Sequence, residues 1–258
     1  MSRRVRRVTA PAAAVTVAAL ALAGCSAAVG GPGNAPTRHT VVVLAASSLT
    51  QSLTAIAADF EASHPGTDVQ LSFAASSTVV TQVNQGAPAD LIALAGTSSM
   101  TPLDKSRIPT GGIRLLAGNT LEIVTPPSNP GKVNAIADLS RPTLKVVLCV
   151  ATAPCGRAAA TALSVAGVVA HVVSYESDVK ATLAKVQLGE ADAAIVYHSD
   201  VVSAGLRVRG LQIPAAVNQR LEYPLVRLSD DPTTVQFMTY LLSDRGRERL
   251  IANGFLMP

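Results

Sequence analysis

Apolar, strand-like runs alternate with amphipathic helical patterns along this chain, and this alternation restricts the fold more than any other feature. The first unit is VVVLAASSLTQSLTAIAADF, in which a strand at 41–45 leads through two serines into a helix at 48–63. Leu49, Leu53 and Ile56 recur there at helical spacing. Repeated strand–helix units are typical of a parallel sheet with helices on its faces. The sequence therefore predicts an α/β fold.

The same pattern continues towards the C-terminus. Helical patterns begin at 76 and cover 156–166 and 178–188, and Asp231 followed by Pro232 marks the start of a last helix. About 220 residues take part, which suits one large domain or two lobes of roughly 100 residues each. Apolar runs predict further strands at 68–74, 89–96, 120–126, 144–150, 171–176, 192–198 and 221–228.

Residues 1–24 have the features of an export signal. Four arginines within the first seven residues precede an apolar run at 12–23, which is too short for a conventional membrane span. The run leads to Leu22-Ala23-Gly24-Cys25, which resembles a bacterial lipobox, where lipid is attached to the cysteine and the chain is cut before it. The alternative is cleavage at another small residue, with Cys25 incidental. The paired arginines leave the twin-arginine export route open.

The remaining composition excludes a nucleic-acid-binding surface. Residues 25–38, mostly Ala, Gly, Pro and Ser, are interpreted as a flexible tether. The signal holds four of the 21 Lys and Arg residues and no acid, so the rest of the chain balances 17 basic residues against 17 acidic ones. Because only 3% of the residues are aromatic, the chain lacks both the basic tracts and the stacking side chains of nucleic-acid-binding proteins.

Two cysteines follow Cys25, and they flank a short loop in CVATAPC. Outside the cytoplasm Cys149 and Cys155 can form a disulfide. The alternative is a pair of free thiols that pack as small hydrophobic side chains. The export signal favours the disulfide.

Small hydroxyl residues recur where a predicted strand meets a helix. They are Ser47 and Ser48, then Ser76, Ser77 and Thr78, then Ser177. Serine and threonine are common helix N-caps, which explains any one site. Several such sites together suggest a ligand site, because α/β proteins bind ligands beyond the carboxyl ends of their strands. Helix N-termini and hydroxyls at that edge favour an anion.

Specific motifs carry a resemblance to a known family. AASSLTQSLTAIAADFE, FAASSTVVTQVNQGAPADLIALA, APCGRAAATAL, SDVKATLAKVQLGEADAAIVYHSD and LEYPLVRL occur in this order. From about residue 41 to the C-terminus the chain resembles the molybdate-binding proteins of bacterial ABC importers. The resemblance implies a type II periplasmic-binding-protein fold, in which two lobes enclose the ligand in a cleft. Lobe I would comprise 39–118 and 222–258, and lobe II would comprise 119–221.

The resemblance also implies a set of ligand-binding residues. Two serines of the first lobe, with backbone N–H groups and one tyrosine of the second, hold the tetrahedral oxyanion in that family. Ser77 is the near alternative to Ser76, and Cys155 stands where the family often has a small apolar residue, although a cysteine N–H can donate equally well. The implied residues are Ser48, Ser76, Cys155, Val179 and Tyr197.

The residues themselves agree with such a ligand. Molybdate carries no proton at neutral pH and needs only donors, and no acid, Lys or Arg stands in the two serine turns. Arg157 is interpreted as a surface residue, and Asp178 as an acid that stabilises the helix dipole. Sulfate has the same charge and shape but is smaller, so cavity size must select between them. Tungstate is expected to bind as molybdate does.

The expected function is therefore a lipid-anchored, extracytoplasmic, monomeric receptor without cofactor. It would deliver molybdate or tungstate to a membrane permease driven by a cytoplasmic ATPase, and it would close by a hinge near 116–122 and 217–223. A hydrolase is the alternative among enzymes, but no Gly-x-Ser-x-Gly motif occurs. A sulfate, phosphate or iron(III) receptor is the alternative among binding proteins. His64, His171 and His198 show no metal-ligand spacing.

Overall fold

The computed structural model describes residues 39–258. The predicted export signal, the lipidated Cys25 and the tether lie outside these residues, so the expectations about them stay predictions. Between residues 39 and 258, no helix has the length and apolar character needed to cross a membrane.

Nine strands in the described residues form one mixed sheet. Their order across the sheet is β2-β1-β3-β9-β4-β7-β5-β6, and β8 pairs with β4 beside this path. The strands are β1 His39–Ala46, β2 Thr67–Ala74, β3 Leu91–Ala93, β4 Ile113–Thr125, β5 Val146–Cys149, β6 Val172–Glu176, β7 Ala193–Tyr197, β8 Arg209–Gln212 and β9 Arg220–Arg227.

Seven α-helices of the described residues accompany these strands, and the first five of them along the chain follow a parallel strand directly or after a short turn. They are α1 Thr50–Ser63, α2 Ser76–Asn84, α3 Pro154–Val165, α4 Val179–Gln187, α5 His198–Ala204, α6 Pro232–Leu242 and α7 Asp244–Ala252. The predicted α/β class is confirmed.

The sheet contains two parallel groups of strands. β1 pairs in parallel with β2 and β3, and β5 pairs in parallel with β6 and β7. The long strand β4 joins the groups: residues 113–120 pair antiparallel with β9, and residues 121–125 pair antiparallel with β7 and β8. Helices α1 and α2 begin at the carboxyl ends of the first group, and α3 and α4 at those of the second.

Side chains from alternate positions of β1 and β3 enter different apolar clusters. Val43 and Ala45 belong to the main core with Phe60 of α1, whereas Leu44 packs with Val79 of α2. Both faces of these strands are therefore covered, as expected for parallel strands. This burial explains why their sequence reads as a continuous apolar run.

Several boundaries differ from the sequence predictions. The strand predicted at 120–126 begins at Ile113, and its register shifts between Leu115 and Ala117, where a bulge disturbs the side-chain alternation. The strand predicted at 89–96 is reduced to the three residues of β3. The short elements β8 and α5 were not predicted. The last helical pattern divides at Ser243, whose extended backbone and hydroxyl cap α7 through the Gly246 N–H.

Candidate anion-binding site

One small cavity is lined by all five residues that the resemblance implied. Four helix starts and the end of β7 surround it, so Ser48, Ser76, Cys155, Val179 and Tyr197 meet although they lie far apart in sequence. The cavity is small. Larger grooves of the described residues contain none of these five.

The two serines do not act as helix caps. Ser48 lies inside the 3₁₀ turn Ser47–Leu49, and Ser76 is the first residue of α2; the cap positions before them, Ala46 and Ala75, make no side-chain cap bond. Both hydroxyls are buried. The capping interpretation of these serines is therefore wrong, and their side chains are free for another role.

A hydrogen bond from the backbone orients the Ser76 hydroxyl. The Ala95 N–H donates to Ser76 Oγ at 2.8 Å. A hydroxyl carries one proton and two lone pairs. Because Oγ already accepts from Ala95, its proton remains for a ligand in the cavity.

Asp178 organises the start of α4. Its Oδ1 accepts from the Lys180 N–H at 2.8 Å and from the Ala181 N–H at 3.1 Å. These contacts make Asp178 the N-cap rather than a residue of the first turn, which corrects the predicted start of this helix. They satisfy the second and third amides of α4 and leave the first, the Val179 N–H, without an intrahelical acceptor.

The start of α3 presents a second backbone donor. Pro154 at the first position has no N–H, so the Cys155 amide is the first donor of this helix, and it has no intrahelical acceptor. A disulfide joins Cys155 to Cys149 at the end of β5. A Cβ at Gly156 would collide with the Val150 carbonyl, so only glycine permits this close turn.

Tyr197 carries a hydroxyl without a partner. The side chain is 2% exposed, and its Oη forms no hydrogen bond within the described residues. Burial raises the pKa of Tyr197 well above the ordinary value, and Tyr223 and Asp200 raise it further, while Arg157 opposes them. The phenol therefore stays protonated and can donate. A buried unpaired donor is costly, and an acceptor placed in the cavity would remove that cost.

The donors that face the cavity are neutral groups, because no Lys or Arg is among the residues that line it. Asp178 is the one charged residue among those that line the cavity. Its carboxylate already accepts the two α4 amides, and Ser177 Oγ donates to Oδ2 at 3.3 Å. Arg157 is exposed, as predicted, and donates to the Thr152 carbonyl at 2.6 Å and to Ser99 Oγ at 3.4 Å. The lining of the cavity therefore offers dipoles, rather than a paired cation, to an anion.

Two further residues contact the site and were not predicted. Tyr223 of β9 places its Oη 3.0 Å from Ser48 Oγ, and Asn119 of β4 donates to the same Oη at 3.3 Å. In the sequence, Tyr223 is one apolar position of LEYPLVRL and Asn119 has no motif around it. No local signal distinguishes these residues from core positions, because their contact depends on the pairing of β4 with β9.

The described residues contain no metal-binding cluster, that is, no group of three or more His, Cys, Asp or Glu side chains placed to hold an ion. His64 stacks on Phe60, and His198 pairs with Glu122 at 2.6 Å.

Known proteins resemble this chain over nearly its whole described length. The family described as "Bacterial extracellular solute-binding protein" matches residues 41–256. The molybdate-binding protein ModA of Mycobacterium bovis is 37% identical over 250 residues, which cover 95% of each chain.

Two solved structures share the fold. The periplasmic molybdate-binding protein of Azotobacter vinelandii has a TM-score of 0.75 at 20% identity and covers 84% of this chain and 99% of its own. The sulfate-binding protein SubI of Mycobacterium tuberculosis has a TM-score of 0.71 at 19% identity, over 84% of this chain and 86% of its own. At these identities the likeness concerns the fold alone.

Proposed function

The chain belongs to the bacterial extracellular solute-binding proteins, and we propose that the solute it binds is molybdate. The observation that carries this proposal is the cavity itself, where three hydroxyls and two unpaired helix amides converge without a cation. A fully ionised tetrahedral dianion needs such a shell of donors. The 37% identity to a molybdate-binding protein supports this ligand.

The donors suffice for tight binding. A hydrogen bond to a charged group contributes about 1.5–3 kcal/mol, and micromolar affinity needs about 8 kcal/mol. Ser48, Ser76 and Tyr197 would donate through their hydroxyls, and Cys155 and Val179 through their N–H groups. Above the lowest end of that range, five such bonds exceed the free energy needed for micromolar affinity and leave a surplus for the cost of ordering the site.

Sulfate is the competing ligand, because the shared fold does not discriminate between the two anions. Both carry two charges and four oxygens, and sulfate is smaller. Donors spaced for the larger ion would be stretched around the smaller one. We propose that tungstate, which nearly matches molybdate in size, binds about as well.

We assign residues 39–118 and 222–258 to lobe I and residues 119–221 to lobe II. The change of partner within β4 supports this division, because β4 pairs with β9 up to Thr120 and with β7 from Leu121 onwards. The two serines would then face the cavity from lobe I, and the other three donors from lobe II. The ligand would hold the lobes together.

The family supports a wider role in solute import. We propose that the protein is exported, anchored through lipid on Cys25, monomeric, and delivers its ligand to a membrane permease with a cytoplasmic ATPase. We assign it no catalytic activity: among the described residues, Ser48 and Ser76 contact Tyr223 and the Ala95 amide rather than a histidine. A nucleophilic serine would need such a base.

Isothermal titration of the purified protein with molybdate, sulfate and phosphate tests the ligand. We expect tight one-to-one binding of molybdate, weaker binding of sulfate and none of phosphate, which carries a proton that this donor shell cannot accept. Binding of sulfate without molybdate would overturn the ligand and retain the anion site. Binding of none of the three would overturn both.

A further inference from the structure

A buried chain of polar side chains lies behind Ser48. Asn119, Tyr223 and Ser199 are each completely buried, and Ser48 is 2% exposed. Tyr223 Oη lies 3.0 Å from Ser48 Oγ and 3.3 Å from Asn119 Nδ2, and Asn119 Nδ2 lies 2.8 Å from Ser199 Oγ. Among these residues only Ser48 lines the cavity.

The Asn119 side chain has a fixed direction. Its Oδ1 accepts from the backbone N–H of Thr120 at 3.0 Å and from that of Ser199 at 3.5 Å. A backbone N–H can only donate, so the oxygen of the amide must face these groups. The Nδ2 group must then face Tyr223 and Ser199, and it can only donate to them.

The fixed orientation of Asn119 also determines the direction in which the Ser48 hydroxyl donates. Because Tyr223 Oη accepts from Asn119, its own proton must go elsewhere, and Ser48 Oγ is the acceptor within reach among the described residues. Burial raises the pKa of Tyr223, which keeps the phenol protonated. Once Ser48 Oγ accepts from Tyr223, its own proton is left to point into the cavity.

We propose that Tyr223, held by Asn119, is a positioning residue that turns the Ser48 hydroxyl into a fixed donor towards the anion. The role rests on the proposed function, since it prepares the same site for an oxyanion that carries no proton. Without the hydrogen bonds from Asn119 through Tyr223, the Ser48 hydroxyl would rotate among several orientations, and binding would have to select one of them.

The variant Tyr223→Phe tests this role. It keeps the ring, which packs edge-on against Tyr197 at 6.1 Å and Phe255 at 5.3 Å between centroids, and it removes only the hydroxyl. We expect molybdate affinity to fall about three- to tenfold, the range for one neutral hydrogen bond. The matched control is Tyr240→Phe, which alters a half-buried phenol outside the cavity and should leave affinity unchanged.

A double-mutant cycle with Ser48→Ala separates positioning from a general structural effect. If Tyr223 acts through Ser48, Tyr223→Phe costs nothing further in the Ser48→Ala background. If Tyr223→Phe fails to fold in a thermal unfolding assay, Asn119→Ser takes its place with the same expectation.

Three results would overturn the proposal. Unchanged affinity in the single variant would show that Tyr223 does not prepare Ser48. An equal loss in both backgrounds would show that it acts by another route. Failure of the wild-type protein to bind molybdate would overturn the proposed function and this role together, whereas the first two results leave the function intact.

Discussion

At the scale of single residues, the Tyr197 hydroxyl is expected to contribute to ligand binding and not to the stability of the fold. Most buried polar groups stabilise the fold through their partners, but Tyr197 Oη has none within the described residues. Its burial is therefore a cost that the folded protein carries. A ligand that accepts its proton would remove that cost, which is why this residue gives the clearest test of the site.

The variant Tyr197→Phe should weaken molybdate binding and leave folding intact. Loss of one donor to a charged ligand corresponds to about 10- to 150-fold in the dissociation constant. The free energy of unfolding without ligand should be unchanged or slightly higher, because an unpaired polar atom is removed. Titration calorimetry and denaturant unfolding measure the two quantities. Tyr175→Phe, at a side chain that is 60% exposed, is the control; a large loss of stability in Tyr197→Phe would contradict the assignment.

Molybdate affinity should stay constant between about pH 6 and pH 9. Hydroxyl and amide donors do not titrate there, and burial raises the pKa of Tyr197, which moves the loss of its proton to still higher pH. Loss of that proton would remove a donor and add a negative charge, so affinity should fall only in strongly alkaline solution. A series of titrations across this range checks the expectation. A midpoint near neutrality would contradict it.

Some residues of the site can be identified from a short sequence motif, whereas others are revealed only by the pairing of distant strands. Ser48, Ser76, Val179 and Tyr197 stand in motifs at strand ends, so a resemblance could identify them. The same resemblance placed Cys155 in a loop that donates a backbone N–H, and the structure shows this residue in the first turn of α3. Tyr223 stands in LEYPLVRL and Asn119 stands in no motif. Neither was implied as a site residue, because Tyr223 meets Ser48 across 175 positions of sequence. Register between distant strands decides such contacts, and no local pattern encodes it.

At the scale of elements, the site is built from helix starts at the carboxyl ends of parallel strands. The strand–helix alternation predicted this edge, since each unit is local and strongly periodic. The elements that escaped prediction, β8 and α5, are four and seven residues long. The first half of β4 escaped because it begins with two exposed residues and because a bulge between Leu115 and Ala117 disturbs its side-chain alternation. The conformation of each of these three segments depends on the neighbouring strands rather than on the sequence of the segment itself.

The disulfide should support the start of α3 without taking part in binding. In the double variant Cys149→Ala/Cys155→Ala the amide at 155 remains, so we expect molybdate affinity to fall less than tenfold. The free energy of unfolding should fall by about 2 kcal/mol, near the lower end for a disulfide because the closed loop is short. Denaturant unfolding and calorimetry again separate the effects. A loss of affinity beyond a hundredfold would show that the sulfur atoms shape the site directly.

At the scale of the whole molecule, the paired strands β4 and β9 link the two parallel groups. β4 changes partner at Thr120, inside the segment where sequence resemblance expects a hinge. The polar chain behind Ser48 starts from the neighbouring Asn119. The residues that orient the ligand donor Ser48 and the proposed hinge would therefore lie next to each other in β4.

Small-angle scattering should detect closure around the ligand. If the two lobes are hinged at β4 and β9, molybdate should reduce the radius of gyration, because donors from both lobes contact one ion. The variant Tyr197→Phe, at a molybdate concentration that saturates only the wild-type protein, serves as the control. A radius that stays the same when the wild-type protein is saturated would contradict closure, while leaving the binding site itself untouched.

The most direct test of the central claim is a crystal structure of the protein with molybdate, with the ion located by its anomalous scattering. The site described above predicts one molybdenum peak in the cavity, with oxygen atoms within hydrogen-bond distance of the Ser48, Ser76 and Tyr197 hydroxyls and the Cys155 and Val179 amides. A peak elsewhere, such as in the groove beside Glu122 and His198, would contradict this account.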